Sequence, residues 1–472
     1  MVFDVASALM LVCLALVLRA TATGERPRGW RRAGLAAAVV GVVIVRAGGD
    51  AALTLDVASA ALLAGVVLTA GHDLVARRTW PPGAFVVAVA VVTAAGAYLR
   101  AYELSETISP AQPEQREPLQ PDVRYYQQQA LQTANPFAAG LKSPLWPALH
   151  APLVRGLADR DLAMRVLSWS FGILMIPAVA LGIGRLFEPL VGVVVAGLLA
   201  TDSFLIDLCT KGLREELGVC LWMLVLALLF EHRQCFSWRR AVGAGLAAGL
   251  LLLLRNTDAP VLLMLVVYAL VRTRTKWPRA LIGALLPVAV VAPFYVNQWR
   301  VYGDAFYLEK RDARYHANME FIGGRAPPGL SMPARAEFDR DPYAGEPLSP
   351  AAYLFKYHSP GRLAASQWEG LKRVLAGEPF SAGFSRWTRL ACAAGVLAAL
   401  LTAETRFAGL FVLGSVLGIR AHLIVVGGFE ERLLLPVLVL WLAGGCRLIA
   451  SAVRAGGRQW LAFSRPIPTK TP

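Results

Sequence analysis

The sequence predicts an all-α polytopic membrane protein with about 12–13 transmembrane helices and two non-cytoplasmic loop regions carrying short amphipathic helices. Three observations lead there. Of 472 residues, 56% are hydrophobic and only 17% are charged. The mean hydropathy is +0.52. Ala, Val and Leu runs recur from Met1 to Ala450, and many approach the roughly 20 apolar residues a helix needs to cross a bilayer. This composition excludes a soluble enzyme, a secreted disulfide scaffold and a disordered chain.

The candidate spans are 2–18, 33–47, 51–70, 82–98, 161–184, 190–207, 214–230, 241–254, 258–271, 280–296, 388–403, 407–425 and 433–450. Met1-Val-Phe-Asp4 lacks the basic start of a signal peptide, so residues 2–18 read as a retained first span. Two broken stretches, 33–70 and 241–271, carry basic residues at both ends. Arg31, Arg32, Arg77 and Arg78 flank the first, while Arg239, Arg240, Arg272 and Arg274 flank the second. Basic loops face the cytoplasm, so each stretch is a hairpin of two spans. Thirteen spans put the N-terminus outside and the tail, with Arg447, Arg454 and Lys470, in the cytoplasm. The turns around Arg185 and Arg406 are weakly basic, which leaves twelve open.

Domain organisation follows. Residues 1–81 are leading spans, and 82–296 form a membrane core with its first outer loop at 99–160. Residues 297–387 form a second outer cap, and 388–472 hold the closing spans and tail. Loops this long in a compact protein are usually functional, and their amphipathic patterns and aromatics suggest folded caps. The formal net charge of +15 marks cytoplasmic loops rather than nucleic-acid binding, because no basic helix or aromatic-basic platform accompanies it. The six cysteines are scattered, mostly within apolar runs, with no CxxC, and the histidines lack HxxH or HxxxH spacing. No built-in zinc or haem site is expected. The Ala, Arg and Gly bias suggests a GC-rich bacterial genome, which makes the plasma (inner) membrane the expected home.

Under this threading four charged groups fall on the outer face. Asp122, in Gln-Pro-Asp122-Val-Arg-Tyr125-Tyr126, is either a helix N-cap or a catalytic carboxylate. Lys211-Gly-Leu-Arg214-Glu215-Glu216 opens a span, where the acids complement the helix dipole or meet a sugar hydroxyl. Arg255, after a Leu run, either pairs with Asp258 or takes an anion in the headgroup layer. Gly427-Gly-Phe-Glu430-Glu431-Arg432 opens the last span, with the same choice between cap and site. The Gly245-Leu-Ala-Ala-Gly249 spacing reads as a helix-packing contact, and the lone His316 and His358 as structural.

These segments together resemble the GT-C glycosyltransferases, nearest the protein O-mannosyltransferase and aminoarabinose-transferase group. The resemblance rests on Asp122, on Tyr126 with Ala130, and on Lys142-Ser-Pro144-Leu-Trp146-Pro147. Downstream it rests on Arg214-Glu-Glu216, Arg255, Pro293 to Phe306, and Glu431-Arg432 with Pro436. Tyr98-Leu-Arg100 is similar to the end of the family's first span. Many relatives carry Asp-Glu in the first loop, whereas Val123 follows Asp122 here, and three spans precede the family-like first one.

The resemblance implies an integral-membrane, mannosyltransferase-like enzyme. It would move a sugar from a polyprenyl-phosphate carrier to a glycan, lipid or protein acceptor on the non-cytoplasmic face, with inversion. Asp122 is then the general base. Arg255, Arg432, Lys142, Arg214, Glu216, Tyr126 and Glu431 would bind the donor phosphate or sugar. No cofactor beyond the lipid-linked sugar donor is required, and a divalent metal is not implied. A transporter or flippase of a lipid or small solute is the main rival. It needs ionisable residues near the midplane, for which Arg46 and Asp50 are the candidates. A membrane scaffold and a pyrophosphate-dependent glycan polymerase or ligase are further alternatives.

Overall fold

The structure, a computed structural model, describes residues 82–109, 118–229, 237–256, 277–322 and 327–365, with scattered positions up to Cys446. The proposed spans 2–18, 33–47, 51–70, 388–403 and 407–425 lie outside the described residues, as do 258–271 apart from Leu262 and most of 433–450. So do Glu431, Arg432, Arg46, Asp50 and Asp258.

Every regular element among the described residues is a helix. Membrane-core helices are α1 (Pro82–Ile108), α4 (Arg160–Leu186), α5 (Pro189–Thr201), α6 (Ser203–Leu208), α7 (Glu215–Leu229), α8 (Trp238–Leu254) and α9 (Trp277–Tyr302). Between α1 and α4 lie α2 (Pro121–Gln132) and α3 (Leu145–Gly156), and after α9 come α10 (Tyr307–Ile322), α11 (Arg335–Arg340) and α12 (Pro350–Phe355). Helices are therefore present in both of the expected loop regions, 99–160 and 297–387. Within the described residues, Phe85–Ile108, Arg160–Leu186 and Leu281–Tyr302 are long and apolar enough to cross a bilayer, and Pro189–Thr201 is a shorter apolar helix.

Neighbouring helices pack in a series: α1 against α4 and α5, α4 against α5 and α7, α7 against α8, and α8 against α9. Glycines permit the close approaches. A side chain at Gly249 would collide with Val290, and one at Gly245 with Leu286, so the Gly245–Gly249 spacing is an α8–α9 packing seam. The opposite faces stay apolar and uncovered: Leu174, Leu181, Leu224, Leu246, Leu250, Leu285 and Val288 are all exposed. A soluble protein rarely displays so much apolar surface, and a lipid-facing wall explains it.

Three expected boundaries need correction. Residues 190–207 are not one helix. Asp202, fully buried, accepts from Leu205 N at 3.3 Å and caps α6, so the chain breaks there. The helix of the 82–98 span continues to Ile108, so Arg100 lies within it and does not end it. Arg100 is fully buried, and its guanidinium donates to Ala200 O at 2.9 Å, Leu199 O at 3.0 Å and Gly96 O at 3.3 Å. Two of these are carbonyls at the C-terminus of α5, which has no following turn to satisfy them. Lastly, α9 runs on past 296 to Tyr302.

Replacing Arg100 with Met would leave the Leu199 and Ala200 carbonyls buried without these donors. Each orphaned group costs about 1–3 kcal/mol. Thermal unfolding in detergent should therefore show a clear loss of stability, and an unchanged midpoint would contradict the clasp.

Candidate active site

One end of the helix series gathers the C-termini of α8 and α9, the start of α7, and all of α2, α3 and α10. Tyr126, Val123 and Ala130 give α2 an apolar face that is fully buried. Arg155 of α3 donates to Ala130 O at 3.2 Å and Leu131 O at 3.3 Å, closing the far end of α2. At its near end Gln120 is the N-cap and Pro121 follows in the first turn. Asp122 is thus not the cap residue. It lies in the first turn, where the helix dipole favours a negative charge.

Residues 133–144 bring a cation to this carboxylate. Asn135 Oδ1 accepts from Phe137 N at 2.9 Å, and Asn297 of α9 donates to Phe137 O at 2.9 Å. Gly140 has a φ of +78°, and any side chain there would meet the Tyr302 hydroxyl. Trp146, fully buried, donates from Nε1 to Gly212 O at 3.3 Å and pins the start of α3 to the turn before α7. Between these anchors Lys142 Nζ stands 3.9 Å from Asp122 Oδ1. The two side chains are 34% and 41% exposed, so their pairing adds at most about 1 kcal/mol to stability. Such a pair is open to a ligand.

Around it stand groups from three further segments. The Arg214 guanidinium lies 5.6 Å above the Tyr126 ring. From the cap, Arg311 of α10 lies 4.9 Å from the Tyr343 ring and 3.4 Å from Asp341. Asp312 of α10 feels Lys142, Glu309, Arg214 and Arg311. Burial would depress the Lys142 ammonium, but Tyr126, Tyr343, Asp122 and Asp312 outweigh it and raise its pKa above the ordinary lysine value. Burial also pushes the Asp312 carboxyl and the Tyr125 and Tyr343 phenols up.

The remaining expected site residues fall in different places. Arg255 is buried at the C-cap of α8. Its neighbour Asn256 donates to Glu309 Oε1 at 3.1 Å, and Tyr295 donates to the same oxygen at 2.8 Å. Glu309 thus ties α10 to the ends of α8 and α9. Glu216 is fully buried and turned into the bundle, where Ser168 Oγ lies 3.4 Å from its Oε2. The Arg214-Glu-Glu216 motif therefore splits between the mouth and the interior. His358 is buried against Glu320 at 2.9 Å and fixes α12 on α10, a structural place as expected. Arg432 and Glu431 lie outside the described residues.

Sequence reasoning missed Asp312, Glu309, Arg311 and Tyr343. Residues 307–322 alternate charges in a way that reads as a solvated helix, and nothing in that pattern marks its inward face.

A raised lysine pKa stabilises the fold fully below the unfolded value, about 10.4, and loses that contribution only as pH climbs through the folded value. The difference in unfolding midpoint between wild type and Lys142→Met should accordingly stay flat from pH 6 to 9. A difference that shifts in the wild type's favour as pH rises across that range would show an ammonium whose pKa is depressed.

Residues 142–297 match the family model described as dolichyl-phosphate-mannose-protein mannosyltransferase, a GT-C family. The matched segment, about a third of the 472-residue chain, is similar to that family and contains the long apolar helix Arg160–Leu186. Lys142 and Asn297 are its first and last residues, and Asp122 lies upstream of it. No curated protein and no solved structure matches the chain.

Proposed function

We propose that this protein transfers a sugar from a polyprenyl-phosphate carrier to an acceptor hydroxyl on the non-cytoplasmic side of the plasma membrane, inverting the anomeric centre, with Asp122 as general base. The observation that carries this reading is the Asp122–Lys142 pair at the mouth of the matched segment, 3.9 Å apart and half-open to solvent. A carboxylate beside a fixed cation suits a reaction that removes a proton on one side and releases an anion on the other.

In the step itself, Asp122 takes the acceptor's hydroxyl proton as that oxygen bonds to the anomeric carbon. The bond from that carbon to the carrier phosphate breaks, and its electron pair leaves with the phosphate. Phosphate monoesters have a second pKa of about 6, so this group departs well once fixed donors meet its charge. Lys142 and Arg255 are assigned to that charge, with Arg432 joining them. Tyr126, Arg214 and Glu431 are assigned to the sugar and the mouth, while Glu216 supports the bundle beneath them. The acceptor, whether glycan, lipid or protein, enters under α10 to α12. The donor itself is the only other group this step employs.

Purified protein in detergent, given a panel of polyprenyl-phosphate sugars and membrane extract, should strip sugar from one donor, followed by mass spectrometry. Asp122→Asn should lower that turnover by about 100-fold or more while the unfolding midpoint stays within a few degrees. A fully active Asn variant would remove Asp122 from the role.

A further inference from the structure

Helices α8 and α9 lie side by side and run in the same direction. Gly283 faces Ala241, Leu286 faces Gly245 and Val290 faces Gly249, so a step along one helix matches a step along the other. Each also turns an apolar band outward: Val242, Leu246 and Leu250 on α8, and Leu285, Val288 and Val296 on α9, all exposed. Residues three or four apart lie on one helix face, so each band is continuous. Together they form part of the lipid-facing wall.

The wall changes character in the same way at both ends. At its start, exposed Trp238 of α8 lies under the Arg279 guanidinium of α9, 5.9 Å away. At the mouth, Trp299 is 60% exposed and continues the α9 band three residues past Val296. Arg300, also exposed, stands beside it. Twenty residues separate Arg279 from Trp299, about 30 Å of helix at 1.5 Å per residue. That is the thickness of a bilayer's hydrocarbon, roughly 30 Å. After Gly303, at a φ of +68°, the chain turns back, and Phe306 comes to lie 5.3 Å from the Tyr295 ring. Phe306 is 57% exposed there, about one helical turn below Trp299.

We infer that Trp299, Arg300 and Phe306 form a contact surface for phospholipid headgroups at the mouth. The two rings seat in the interfacial layer of the adjoining leaflet, and the Arg300 guanidinium takes a lipid phosphate. This rests on the membrane location of the chain and not on sugar transfer. An indole suits that layer because its body is apolar and its N–H needs a polar partner. A guanidinium beside it lays its stem along apolar surface and reaches the phosphates with a fork of donors. The occupant is lipid because the surface is the unbroken continuation of the lipid-facing band and begins where the hydrocarbon ends. Asn297 and Tyr302, on either side of Trp299, hold the loop that carries Lys142. The contact therefore sets the height of that loop at the headgroup layer.

The test uses the full chain in vesicles of phosphatidylcholine and phosphatidylglycerol. Benzoylphenylalanine replaces, one at a time, Trp299, Phe306, Val288 and the buried Phe294. Irradiation and mass spectrometry then read what each position touches. Probes at 299 and 306 should carry phospholipid, joined in the half of the acyl chain nearest the glycerol. A probe at 288, near mid-bilayer by the same count, should join the terminal half, and one at 294 should carry no lipid. Absence of lipid at both 299 and 306, attachment there in the terminal half, or crosslinks from both to other peptides of this chain would overturn the inference. With the probe at 299, Arg300→Gln should lower the phosphatidylglycerol share of the adducts about fivefold, the effect of one basic side chain near an anionic surface. An unchanged share would overturn the role given to Arg300. Trp299, Phe306 and Arg300 are all exposed, so these substitutions leave the helix packing in place.

Discussion

The bond from Trp146 to the Gly212 carbonyl is the joint on which the rest of the site depends. It ties the first outer loop to the turn that opens α7, and it does so with a fully buried indole. Gly212 has a φ of +79°, and Val123 of α2 packs where a side chain would stand, so the turn can pass directly beneath the helix that carries Asp122. Lys142 is four residues before the indole and Arg214 is two residues after the carbonyl. A single interaction thereby fixes a lysine and an arginine around one carboxylate. Asn297 and Tyr302 supply the second anchor and extend the same frame to the cap.

Among the described residues two sets of charges have different partners. Arg100 and Arg165 lie in the bundle interior and direct their guanidinium groups at backbone carbonyls: Arg100 at Leu199 and Ala200, Arg165 at Thr210 at 2.8 Å. Buried arginines of this kind serve helix ends that have run out of intrahelical donors. Asp122 and Lys142 stand 3.9 Å apart at the mouth, and Arg311 pairs with Asp341 at 3.4 Å on the cap. These pairings are weak enough to yield to an incoming phosphate or hydroxyl. Arg100 and Arg165 thus serve the backbone, while the partly exposed Asp122–Lys142 pair is open to a ligand.

Much of this was legible in the sequence, and what was not has physical reasons. Hydropathy marked α1, α4 and α9, because a lipid-facing helix needs a long apolar stretch and little else can supply one. The small-residue spacing in α8 announced its packing seam. Boundaries failed where a charged residue was satisfied inside the fold. Arg100 looked like a helix end and proved to be an interhelix clasp, and Asp202 lay hidden in a span that it breaks. Asp122 was legible as a residue but not as a position: Gln120 takes the cap, and Asp122 stays in the turn after it. Glu309 was invisible because its bonds to Tyr295 and Asn256 join α10 to the ends of α9 and α8, and no local pattern encodes such a meeting.

On the proposed function, a lipid phosphate docks at the mouth, between Lys142 and Asp122, and not along a path through the bundle. The most direct measurement is photo-crosslinking with a polyprenyl-phosphate sugar bearing a diazirine beside the phosphate, followed by peptide mapping. Label within residues 121–146, competed away by the unmodified donor, is the result expected. Label confined to the interior faces of α4, α5 and α7 would contradict the account and point to transport.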